Sequence, residues 1–256
     1  TSIGSGLPTT AGSGGGEGRC EIGGDGGSTG TPSTTSGGFR FDVGSPDVGL
    51  SFPVDCAAAT NSGSNQGCEF WAVDLPNDGR GTETYPPAAD QQFAVVASNP
   101  SGVATAQVQV FVGDESIPIE ERTIAPTEAV TIELPPLSIN ALTSTVDGRA
   151  YRVTSSLPIT AYQFNPLDNT VEVYSNDASL LIPTHALGPS SAAAPAAAIL
   201  LAMGPNDPAP INAGAFVSVV AVENGTEVEL DPTAQVVGSL PSPLVLDRAE
   251  VTTVTS

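Results

Sequence analysis

The sequence predicts an all-β protein of tandem β-sandwich units with antiparallel strands, preceded by a Gly/Ser/Thr-rich extended tether. Three observations predict it: proline is dense and evenly spread beyond residue 38, apolar residues recur at every second position in many short runs, and the later part of the chain repeats the pattern of the earlier part. Of the 23 prolines, 21 fall in residues 39–256, a density that forbids long helices and favours short strands joined by turns.

Residues 1–38 hold 14 of the 28 glycines, with Ser and Thr in most other places. Such a composition cannot bury enough surface to offset its ordering entropy, which makes this stretch a tether. Residues 39–67 form a seam with a Gly/Ser/Asn-rich loop, 68–185 the first sandwich unit and 186–256 a second, incomplete one. Within the first unit, Ala104, Ala106, Val108, Val110 and Val112 alternate with Thr105, Gln107 and Gln109, and Val130, Ile132 and Leu134 alternate with Thr131 and Glu133. In the second, Val228 and Leu230 alternate with Glu227, Glu229 and Asp231. Period two marks half-buried strands. Asn99-Pro-Ser-Gly is expected to turn residues 93–98 back onto 103–112 as a hairpin, and Glu223-Asn-Gly-Thr to do the same later. Expected core positions are Phe70, Trp71, Val95, Val108, Val110, Ile132, Val153 and Ile159 in the first unit, and Val219, Val228 and Leu230 in the second.

The duplication rests on three matches in the same order. Residues 70–78 align with 199–207, each an apolar run closed by Pro-Asn-Asp; 93–112 align with 216–230; and 127–132 align with 248–253. The alignment places a strand at residues 199–203, against the helix propensity of the Ala-rich stretch just before it. The first unit continues through residues 151–164, 171–174 and 179–182, whereas the second reaches Ser256 before any counterpart of 151–164. A sandwich lacking its last strands leaves an open edge, so the expectation is either a longer parent chain or strands donated by another molecule.

Charge narrows the partners. Twenty-eight Asp and Glu face seven Arg, with no Lys, for a formal charge of −21. Nucleic acid and anionic lipid reward clustered cations and are disfavoured. No apolar run is long enough for a membrane-spanning helix, so no transmembrane segment is expected.

Candidate chemistry is sparse. His185, the one histidine, sits between the two units without a Gly-x-Ser-x-Gly elbow, and Glu120-Glu121 would point to opposite faces of a strand. No catalytic residue, cofactor-binding residue or required cofactor is therefore assigned. Asp74, Asn77 and Asp78 fall in one turn, partly repeated by Asn206 and Asp207, and are weak candidates for calcium; Asn and Asp are equally the usual turn formers. Asn224-Gly-Thr226 fits both a glycosylation sequon and a hairpin turn. Cys56 and Cys68 are the natural disulfide pair, reduced thiols being the alternative, and the partner of Cys20 is open.

Three stretches carry a resemblance: Cys68-Glu-Phe-Trp-Ala-Val-Asp-Leu-Pro-Asn77, Phe93-Ala-Val-Val-Ala-Ser-Asn-Pro100 and Tyr151-Arg-Val-Thr-Ser-Ser-Leu-Pro-Ile-Thr-Ala-Tyr-Gln-Phe164. They resemble the IgGFc-binding protein N-terminal domain of bacterial surface proteins, notably of myxobacterial type, and of animal mucin-like proteins. The tether is similar to the leaders of exported myxobacterial lipoproteins, although no lipobox precedes Cys20. The resemblance covers about residues 54–256 and implies an extracellular or outer-surface location, tandem sandwiches and an adhesive or binding role; it carries no ligand residues. The expected function is a non-enzymatic extracellular surface protein that binds a protein or glycan ligand. The alternative is a structural subunit of a fibre or coat in which copies exchange strands or tethers. A secreted hydrolase is the formal third reading.

Overall fold

The computed structural model describes residues 52–77, 88–137, 144–167, 177–188, 198–200, 211–213 and 215–255. The tether, Asp78, Asn206, Asp207 and the strand expected over 171–174 lie outside them. The elements are a short helix α1 (Cys56–Thr60) and strands β1 (Gly67–Ala72), β2 (Phe93–Ser98), β3 (Ala106–Val112), β4 (Glu120–Ile124), β5 (Ala129–Leu134), β6 (Thr145–Arg149), β7 (Tyr151–Asn165), β8 (Asp177–Leu180), β9 (Ala198–Leu200), β10 (Ile211–Ala213), β11 (Phe216–Val220), β12 (Thr226–Val228), β13 (Leu244–Leu246) and β14 (Glu250–Thr255). Every described pairing is antiparallel, as the all-β class requires.

Asp55 caps α1 by accepting the Ala58 N–H at 2.7 Å, the usual role of an aspartate at a helix start. The helix is tied to β1 by a disulfide between Cys56 and Cys68, with Cα atoms 5.7 Å apart.

β7 organises the first half. Its leading residues pair with β1 and β3, and β4 lies beyond β3. Its trailing residues pair with β2 and β8, and β5 lies beyond β2. The change of partners falls between Ser155, which faces β3, and Thr160, which faces β2. Pro158 sits in that interval, where a residue without an N–H costs no ladder bond. Both sets of strands turn their apolar positions onto one core, which includes Phe70 from β1, Val108 and Val110 from β3, Val95 from β2, Ile132 from β5, and Val153 and Ile159 from β7.

One expectation is corrected. β2 and β3 do not form a hairpin: β2 pairs with β5 and β7, and β3 with β4 and β7. The segment after Ser98 is an arch from one group of strands to the other. The buried Asn99 holds it, its amide donating to the carbonyls of Ala104, Ile124 and Ala125. The later turn is corrected in the same way, since β11 pairs with β14 and β12 with β13. Gly225 supplies the left-handed backbone of that arch, at φ 70°.

The two arches belong to a wider correspondence. Thr127 and Ala249, the two non-glycine residues with positive φ among the described residues, are 122 positions apart. The same shift carries the pair Ser98–Ala129 onto Val220–Val251 and the pair Ala94–Glu133 onto Phe216–Thr255. It also carries the Asn99 N–H to Glu128 C=O bond onto that from Ala221 to Glu250. Ile124, paired with Ala106, is matched at the same shift by Leu246, whose partner Thr226 lies 120 positions on from Ala106.

The later half is less enclosed. Val219, Val228 and Leu230, expected in the core, are half-buried, whereas the eight core positions expected in the first half are buried. Among the described residues its cluster buries Ala221, Leu244 and Leu246, with Val146 of β6 packed against it. That contribution is topological: β6, within residues 68–185, pairs with β14 on the side opposite β11. The small sheet β11–β14–β6 therefore joins strands from both sequence halves.

Candidate functional site

The residues singled out for chemistry have separate structural partners. Glu120 pairs with Arg122, and Glu121 instead accepts from the Gln109 amide at 2.6 Å. His185 lies in a 3-10 turn, Thr184–Ala186, packed against β1; a Cβ on Gly67 would stand 2.3 Å from the Pro183 Cβ and 3.0 Å from the His185 ring. Glycine is thus required where this turn crosses β1. Asn224 uses its side-chain oxygen to accept the Arg248 N–H at 2.9 Å. Among the described residues, no three His, Cys, Asp or Glu side chains gather as metal ligands.

Asp74, the first calcium candidate, is 8% exposed and turned inward, its Oδ2 accepting the Leu137 N–H at 2.9 Å. Burial raises its carboxyl above the ordinary aspartate range, and the Leu137 hydrogen bond offsets part of that rise. Tyr151 is fully buried, stacked on Phe93 with ring centroids 5.8 Å apart, and donates its hydroxyl to the Pro135 carbonyl. Burial raises the Tyr151 phenol too, and the charge of Asp74 adds to the effect. Asp74 and Tyr151 thus hold the chain just after β5 from two sides.

The sign of the Asp74 shift fixes a prediction. A folded-state value above the unfolded one gives stability that is complete below the unfolded pKa, about 3.9 for aspartate, and lost as pH rises through the raised value. At neutral pH the buried charge is a net burden. Asp74→Asn, which keeps an oxygen for Leu137, is expected to melt higher than the parent at neutral pH and to lose that part of the parent's pH dependence. Melting curves between about pH 4 and 8 check it; a variant that melts lower at neutral pH with an unchanged pH slope refutes it.

The element that the sequence does not announce is the seam joining the halves. Arg248, just before β14, reaches Glu69 of β1 at 2.8 Å and Asp114 at 3.3 Å. Its guanidinium lies 5.3 Å from the Trp71 ring centroid, within the range of a cation–π contact. Trp71 and Val73 pack with Ala150, Ala249 and Val251, and Val220 and Val222 lie against them. A depression of about 340 Å³ opens beside this contact, bordered by Asp114, Arg149, Asp247 and Glu250. The one hint in the sequence is scarcity: in a Lys-free chain with seven Arg, each cation has many acidic partners to choose among.

A second feature lies at the far side of the same small sheet. Among the described residues β11 pairs with β14 alone. Its counterpart β2 is flanked on both sides, by β5 and by β7. All five β11 residues are half-buried, whereas Phe93, Ala94, Val95 and Ala97 of β2 are buried.

These features define a disulfide-braced, antiparallel β protein with an arginine-locked seam, in which β11 pairs on one side alone among the described residues. No family model and no curated protein matches the chain. Among solved structures it is similar to the crystal structure of Thermotoga maritima 1070, at 18% identity over 47% of this chain and 94% of that one, with a TM-score of 0.28.

Proposed function

We propose that this chain is a non-enzymatic extracellular surface protein that binds a protein or glycan partner, built from two related β-sandwich modules. The observation that carries the location is the Cys56–Cys68 bridge, because disulfides form and persist in oxidising, extracytoplasmic compartments. The shared 122-position shift supports the pair of modules. A binding role draws support from the loops: Val103, before β3, and Ile117, after it, are 93% and 76% exposed, which offers apolar anchors at the two ends of that strand. The scaffold contacts of Glu120, Glu121 and Asp74 favour binding over catalysis.

The test is antibody labelling of intact cells, paired with adhesion of a deletion strain to host or neighbour-cell surfaces. Labelling before permeabilisation and a loss of adhesion in the deletion strain are expected. Signal only after lysis overturns the location. Turnover of model peptides or glycans that His185→Ala abolishes overturns the non-enzymatic role. The fibre or coat subunit is kept as a second reading because of the β11 edge, and sedimentation of the purified chain separates it from the first by its concentration-dependent assembly.

A further inference from the structure

We infer that Asn224–Gly225 is a self-modifying site, where the backbone nitrogen of Gly225 attacks the Asn224 side-chain amide and converts it to aspartate or isoaspartate. The step balances with the chain and one water. A bond forms from the Gly225 nitrogen to Cγ of Asn224, the bond from Cγ to Nδ2 breaks, and ammonia leaves with the former Gly225 amide proton. Water then opens the cyclic imide: its hydroxyl goes to one of the two carbonyl carbons and its proton to the nitrogen. Opening at Cγ gives aspartate, and opening at the main-chain carbonyl gives isoaspartate. Nothing is oxidised or reduced.

The arch between β11 and β12 presents the groups this reaction needs. Asn-Gly occurs once in the chain. Both residues are exposed, so water reaches the imide. Gly225 has no side chain to shield its nitrogen, and a Cβ there would meet nothing within 4 Å, so the surroundings are open. The Asn224 Nδ2, which departs, donates to no described residue, whereas Oδ1 accepts the Arg248 N–H at 2.9 Å. As nitrogen adds to Cγ, negative charge gathers on Oδ1, and a donor already in place there lowers the barrier. The Thr226 hydroxyl donates to the Glu223 carbonyl at 2.7 Å and fixes the turn from its other end.

Two other asparagines show the contrast. Asn61 is exposed too, but its Nδ2 donates to the Ala57 carbonyl, and the N–H of the next residue, Ser62, donates to that of Ala59. Asn99 is buried and precedes Pro100, which has no N–H to lose. The consequence of conversion at Asn224 reaches the seam. Aspartate adds a carboxylate beside Glu223. Isoaspartate draws Cγ into the main chain, which adds one carbon between β11 and β12 and re-aims the oxygen that holds the Arg248 N–H. Arg248 ties β1 to the chain before β14, so conversion loosens the contact between the halves.

The test follows the purified full chain through incubation in neutral buffer by peptide mapping, with electron-transfer fragmentation to tell isoaspartate from aspartate. Asn224 is expected to convert at least about tenfold faster than Asn61. It is also expected to convert at least as fast as in a synthetic peptide of residues 221–228, which has the same Asn-Gly but no Arg248 N–H. Slower conversion in the chain than in the peptide would overturn the inference, because the fold would then protect the site. A smaller gap between Asn224 and Asn61 would overturn it too. The consequence for the seam is read by hydrogen exchange. Incubated chain is expected to exchange its β14 amides faster than fresh chain, while incubated Asn224→Gln, which keeps the side-chain oxygen but cannot close the same imide, matches fresh chain. A converted chain with unchanged β14 exchange would refute the coupling to the seam. Neither result depends on the proposed binding role.

Discussion

Asn99→Ala is expected to lower stability by about 2–4 kcal/mol, the range for stripping the partner from several buried polar groups at once. Asn99 is fully buried, and its amide donates to Ala104, Ile124 and Ala125 at 2.8, 3.1 and 3.2 Å while its oxygen accepts the Ser101 N–H at 3.0 Å. Alanine strips this donor from all three carbonyls, of which that of Ala125 keeps the Glu128 N–H. Asn99→Asp is expected to be worse, because a carboxylate would face those carbonyls with no proton to offer. The matching arch of the later half supplies the control. There Asn224 is exposed and makes one bond, from the Arg248 N–H, so Asn224→Ala should cost only about 0.5–1 kcal/mol. Urea unfolding of the three variants checks the ranking, and an Asn99→Ala midpoint no lower than that of Asn224→Ala contradicts it.

Asn99 also shows where sequence reading stops. The period-two runs locate β3, β5 and β12, and in β3 and β5 they place Val108, Val110 and Ile132 on the buried face, because alternation is a local property of a strand against a core. The Cys56–Cys68 pair is legible for a similar reason, a short separation across a flexible loop. Asn-Pro-Ser-Gly and Asn-Gly mark a change of direction, but turn chemistry does not say whether the next strand lies beside the last one or across the core from it. The difference is made by carbonyls up to 26 positions away in sequence. The β6–β14 pairing and the Arg248–Glu69 contact span more than 100 positions and leave no local trace. Asp74 reads as a turn former from its neighbours, yet it is buried and accepts the N–H of Leu137, 63 positions away. Val219, Val228 and Leu230 have the right alternation and still stay half-exposed, because enclosure depends on what lies opposite, and β7 has no described counterpart there.

Neighbours on β1 separate the stability of the first core from that of the seam. Phe70 pairs with Val153 and Trp71 with Arg152, and since adjacent strand residues point to opposite faces, Phe70 enters the main core while Trp71 joins the seam cluster. Phe70→Ala should cost about 3–5 kcal/mol, the usual toll for truncating a fully buried aromatic in a core that collapses only partly. The loss is expected to be global, because β1, β2, β3 and β7 all contribute to that core. Trp71→Ala removes a ring that is 8% exposed, and with it the flat partner of Arg248, whose links to Glu69 and Asp114 are partly solvated and hold less firmly without it. Its effect should therefore be directional. Amides of β11, β13 and β14 exchange faster through local opening of the thinly cored half, while those of β2 and β5 keep their protection. Hydrogen exchange read by mass spectrometry distinguishes the two outcomes. Equal acceleration of both halves by Trp71→Ala would mean that the seam and the main core unfold as one unit, and that Arg248 fastens nothing the core does not already hold.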